Sequence, residues 1–167
     1  AGNIAAIVRE IASTAQSYVR TALAQAAATN PRIPADVALK IANDEDAVAT
    51  PFLALSEVLT EQDLLNIAGL AGSNAKRLAI SRRPSVSEAL SGVLAEHGDW
   101  AVRKSLLENS GAKIGDATYD LIVARDGDLE DMHHTVVNGR RLPVDIVAKF
   151  ITKRDNVPAH FEDIVLT

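Results

Sequence analysis

Six residues, Asp126-Gly127-Asp128-Leu129-Glu130-Asp131, carry four carboxylates, the hard oxygen donors that a calcium loop uses. A helix–loop–helix calcium site needs Gly at the sixth loop position and Glu at the twelfth. Counted from Asp126, those places hold Asp131 and Val137, so the calcium reading fails. Acids there suit the start of a helix, where the dipole favours negative charge. His133-His134 follows, but neighbours on a helix point about 100° apart and chelate one metal poorly. Asp131 and His134 share a face, and two ligands make a weak site. There is no nucleophile elbow, phosphate loop, dinucleotide fingerprint or paired-histidine zinc motif. Glu57, Glu61 and Asp63 lie close in sequence, with nothing to mark an acid–base pair. The sequence thus predicts no enzyme, no metal and no cofactor.

The basic dipeptides carry more information. Arg82-Arg83 and Arg140-Arg141 each precede an aliphatic turn motif, and Lys113 and Arg32 stand in the same setting. Arginine offers a planar fork of donors to carboxylate or phosphate. The residues proposed to meet a partner are therefore Arg82, Arg83, Lys113, Arg140 and Arg141. Helix capping explains bases near C-termini in part and leaves the doubling unexplained.

These residues are positioned by a repeat. An aliphatic residue followed by Pro, Thr, Ser or Gly recurs at Ile33-Pro34, Leu59-Thr60, Val86-Ser87, Ile114-Gly115 and Leu142-Pro143, in steps of 26, 27, 28 and 28 residues. Seven residues past each second member stands a large apolar residue: Ile41, Ile67, Leu94, Ile122 and Phe150. A small or aliphatic residue follows each of these, from Ala42 to Ile151. Such offsets share one face of a helix and scatter over both faces of a strand.

Each unit reads as two helices. In the third, Ser73 caps a helix that Arg83-Pro84 stops, Ser87 starts a second that His97-Gly98 ends, and Asp99 opens the next. Asp46 and Asp128 are expected as analogous caps, Gly111 and Gly139 as left-handed C-cap residues, and Thr60 with Asp63 as a capping box. Residues 4–28 form one helix or two with a break near Ser13-Thr14, covering one end of the stack. Val157-Pro158, with Phe161 and Val165, starts a truncated helix capping the other.

A short helix pair cannot bury its own apolar face, so such units stack. The fold expected is an all-α superhelix, a right-handed solenoid of about five helix-pair repeats with capping helices at both ends. A closed helical bundle is the alternative. All loops of one kind then line one edge. The within-unit loops give a basic edge, and the between-unit loops, with Asp44, Asp46, Asp99 and Asp128, an acidic one.

Composition agrees. Among 167 residues the apolar share is 47% and the aromatic share 4%, so Ala, Leu, Ile and Val must fill the core. With no Cys, disulfides and thiolate chemistry are excluded. A net charge of −5 argues against a general affinity for nucleic acid or anionic lipid. No apolar run approaches a membrane span. One domain over 1–167 is expected, cut from a longer protein.

The run Asp44 to Pro51, then Ser56-Glu57-Val58-Leu59-Thr60, Leu78-Ala79-Ile80-Ser81-Arg82-Arg83-Pro84 and Gly139-Arg140-Arg141-Leu142-Pro143 resembles an uncharacterised bacterial family related to HEAT repeats, domain of unknown function 2336. The resemblance covers roughly residues 20 to 151. It implies a HEAT-like (HEAT/ARM) fold and a bacterial, cytoplasmic setting, and it brings no catalytic residues. The function expected is a non-catalytic interaction scaffold whose charged edge meets a protein or acidic peptide. Nucleic-acid binding at the arginine-bearing edge is the alternative; scarce aromatics count against it.

Overall fold

The computed structural model describes residues 2–153. Among these are eleven helices and no strand. The helices are α1 (Gly2–Thr14), α2 (Ser17–Ala27), α3 (Ala35–Ala42), α4 (Asp46–Leu55), α5 (Glu61–Ala68), α6 (Asn74–Ser81), α7 (Glu88–His97), α8 (Trp100–Glu108), α9 (Asp116–Asp126), α10 (Glu130–Asn138) and α11 (Val144–Lys153). The long N-terminal stretch is thus two helices, broken at Ala15-Gln16. The expected C-terminal capping helix, with Val157, Phe161 and Val165, lies outside the described residues.

Packing follows a rule of alternation. Each of α2, α4, α6 and α8 packs against the next even-numbered helix, and α5, α7 and α9 each against the next odd-numbered one. The two sets touch through pairs such as α3 with α4 and α7 with α8. One continuous apolar cluster runs from Ala12 to Val147. Ile41, Ile67, Leu94 and Ile122 are all buried in it, as the repeat register requires. The side chain of Phe150, fifth in that series, lies outside the described set. The anchors Leu59, Val86 and Leu142 are also buried.

Local chemistry sets the helix starts. The side chains of Ser73, Ser87 and Asp99 accept from the backbone N–H groups of Lys76, Leu90 and Val102. Thr60 and Asp63 form a reciprocal capping box. Two expected caps shift by a residue. Asp46 is the first helical residue of α4 rather than its cap, and Leu129, not Asp128, precedes α10. The sole proline inside a described helix, Pro51, leaves α4 one backbone donor short.

Gly111 and Gly139 are not left-handed: no described glycine has positive φ. Gly111 answers to close approach. A Cβ there would lie 1.9 Å from the Pro84 carbonyl oxygen. The contact exists because loops of successive units pair through backbone. The Val86 N–H donates to Gly111 O at 3.1 Å, and the Lys113 N–H donates to Val86 O at 2.9 Å. This isolated bridge between Val86 and Ala112 has no counterpart in the apolar pattern.

Candidate functional site

A helix ends with carbonyls that lack an internal donor. At the ends of α4, α6 and α8 the donors come from the next unit. Arg83 reaches back to Leu53 O at 2.5 Å and Ser56 O at 2.6 Å. The Asn109 side-chain amide donates to Ser81 O at 2.9 Å and Arg83 O at 2.8 Å. Arg140 donates to Asn109 O at 2.5 Å and Ala112 O at 2.8 Å, with the Tyr119 hydroxyl at 3.4 Å. These bonds form a series of staples. They bring the loops that bear the predicted residues side by side.

The staples also divide those residues. Arg83 and Arg140 are half-buried, and their guanidinium groups serve backbone carbonyls within the fold. Burial holds the Arg83 pKa below its ordinary value, against the pull of Glu57 and Glu61. Arg82, Lys113 and Arg141 are exposed. Of the five bases expected to meet a partner, three are exposed and two are spent on backbone carbonyls. In each doubled arginine one member faces solvent and the other reaches back a whole unit, Arg83 to the end of α4 and Arg140 to the end of α8.

At the opposite helix ends the acids are engaged as well. Asp44 pairs with Arg20 at 2.7 Å. Burial pushes the Asp44 carboxyl up, but the hydrogen bonds from Arg20 and the Glu45 N–H outweigh it and leave the pKa lowered. The Ser73 hydroxyl donates to Asp46 at 2.6 Å. The Asp99 N–H donates to the Asn74 side chain at 3.0 Å. Asp128 is exposed. Trp100 bridges neighbouring units: its indole N–H donates to Asp131 at 2.8 Å.

Three arginines escaped the sequence reading. Arg20, Arg77 and Arg103 each stand four residues past an N-cap position. Each turns back onto carbonyls at the end of the preceding helix: Arg20 on Ala15 O, Arg77 on Ala68 O and Gly69 O, Arg103 on Ala95 O and Gly98 O. Arg103 also forms a buried ion pair with Asp126. Asp126, the first residue of the supposed calcium loop, thus has a structural partner. The shared offset from the cap was the signal available in the sequence.

One cavity borders Arg82, and another opens beside Arg141. The cavity beside Arg141 has a volume of about 490 Å³ and is lined by Leu107, Glu108, Ser110, Tyr119, Gly139, Arg140 and Arg141. No group of three or more His, Asp or Glu among the described residues is placed to hold a metal ion. No described helix is long and apolar enough to cross a membrane.

Residues 48–157 match the family described as an uncharacterised protein conserved in bacteria, domain of unknown function 2336. The chain belongs to this family. The domain of unknown function 2336 begins here inside α4, later than the expected start near residue 20, and takes in all the staples. No curated protein and no solved structure matches the chain.

Proposed function

We propose that this member of domain of unknown function 2336 is a HEAT-like solenoid of about five helix pairs. It acts as a non-catalytic interaction scaffold in the bacterial cytoplasm. Arg82, Lys113 and Arg141 face a protein or acidic peptide partner. The observation that supports this reading is the staple series. Arg83, Asn109 and Arg140 fix four successive loops to one another, so the backbone beneath the neighbouring bases is rigid and needs little ordering on binding. Packed helices are about 10 Å apart, close to the Debye length at physiological salt, so charges on adjacent loops act together. The net charge of −5 favours a protein over a polynucleotide.

The test is charge reversal at Arg82 and Arg141 together. The Arg82→Glu, Arg141→Glu variant is expected to keep the wild-type thermal midpoint. It should lose the proteins that the immobilised wild type captures from bacterial lysate and releases as salt rises. Arg140→Glu is unsuitable, since it strips two carbonyls of their donor. An unchanged captured set with unchanged salt release would refute the scaffold reading at this rim. A salt-sensitive gel shift of DNA or RNA, abolished in the variant, would replace it with the nucleic-acid reading.

A further inference from the structure

We infer that the cavity beside Arg141 is a socket for a single carboxylate side chain of an acidic peptide. This inference rests on the scaffold reading and names the point at which the partner is held. The cavity lies where the loop after α8 meets the loop after α10. Its 490 Å³ is in the range of small-ligand sites, with room for one or two side chains.

The lining supplies donors of three kinds. Arg141 is exposed and brings a whole guanidinium fork. Ser110 brings a hydroxyl. Tyr119, buried to 5% exposure, receives Arg140 at its oxygen and so keeps its own O–H to donate. Arg140, fixed to Asn109 O and Ala112 O, holds its charge at the wall without moving. The Leu107 and Gly139 surfaces give the methylene stem of a glutamate an apolar bed.

Charge selects the ligand class. Arg140 and Arg141 contribute two positive charges, and Glu108, on the same wall, removes one. Glu108 is 55% exposed, and Lys104, 3.9 Å away, is shared with the closer Asp131 at 3.0 Å, so Glu108 keeps most of its charge at this wall. A net single positive charge matches a monoanionic carboxylate and leaves a phosphate dianion with one charge uncompensated. Tyr119 leaves almost no ring face open on which a nucleobase could stack.

The experiment is an NMR titration of the full chain with a capped peptide of alternating Glu and Ala. The same peptide with Gln for Glu, inorganic phosphate and a single-stranded DNA oligomer serve as separate probes. The Glu peptide is expected to shift the amides of Ser110, Gly139 and Arg141, while the Gln peptide leaves them in place. Arg141→Gln should weaken binding about 10-fold, as expected for losing one charge-assisted contact, and Tyr119→Phe by a smaller factor with the fold retained. Lys40→Gln, on distant α3, should change nothing. Shifts confined to Arg82 and Lys113 would overturn the socket and leave the scaffold reading standing. No shift anywhere on the rim would overturn the socket, and the lysate capture by the Arg82→Glu, Arg141→Glu variant then decides the scaffold reading separately. Binding of phosphate or DNA at these amides as tightly as the Glu peptide would overturn the carboxylate assignment.

Discussion

Arg103→Met is the most informative single change in the fold. Arg103 and Asp126 have side chains 8% and 4% exposed, and Arg103 also serves Ala95 O and Gly98 O. Methionine preserves the apolar stem and removes the charge. Removing one partner of a buried ion pair costs about 3–5 kcal/mol, because the other charge is left stranded. With a urea slope of about 2 kcal/mol per molar, the midpoint should fall by roughly 2 M. The stranded charge can be removed in turn. In Arg103→Met with Asp126→Leu, Gly98 O loses its arginine donor and Ala95 O keeps only Arg125 at 3.4 Å, so about 1–3 kcal/mol of the loss should remain. Urea unfolding followed by far-ultraviolet dichroism reads both. Arg9→Met, at an exposed pair with Asp36, provides the control and should leave the midpoint in place. The reasoning fails if Arg103→Met unfolds with the wild type, or if the double variant is no more stable than the single one.

Gly111→Ala should destabilise by more than about 2 kcal/mol, since its Cβ would meet backbone at Pro84 O, and thermal melting checks this. Leu94→Ala, at a site with no exposed surface, should cost about 2–5 kcal/mol by the same denaturation assay. For pH, the carboxyls of Asp36, Asp44, Asp99 and Asp131 are all lowered in the folded chain. A lowered carboxylate stabilises the fold above its unfolded pKa of about 3.9, and that contribution is lost as pH falls through the folded value. The urea midpoint should therefore hold steady from neutrality to about pH 5 and drop below about pH 4.

The core row was readable because apolar side chains declare their helical period without reference to distant neighbours. Ile41, Ile67, Leu94 and Ile122 needed only spacing. Ser73, Ser87 and the Thr60–Asp63 box were readable for a related reason: a cap is satisfied within three residues of itself. Arg77 and Arg103 were hidden because an arginine inside a helix reads as a solvent-facing charge. What makes their burial tolerable is the carbonyls that close the preceding helix, and those leave no trace in composition. Arg83 and Arg140 were half-read. Their place in the loops after α6 and α10 followed from the turn motifs, whereas their direction depended on backbone acceptors a whole unit away. Gly111 was flagged as a glycine that mattered, but for a left-handed turn; its neighbour across the bridge was invisible.

The staples have a consequence for how such a chain can change length. Arg83 reaches 30 and 27 residues back, Asn109 28 and 26, and Arg140 31 and 28. Each span is close to one period of the sequence. A duplication of one whole period brings with it a donor for the helix end it creates and leaves every older bond intact. A single-residue insertion between Ser56 and Arg83 or between Ala112 and Arg140 does the opposite, moving the donor about 100° around its helix if it falls within a turn of α6 or α10. Natural length variation in this part of the family should therefore come in whole periods, and one-residue gaps are disfavoured on the far side too, where Arg125 reaches back 30 and 29 residues to Ala95 O and Glu96 O.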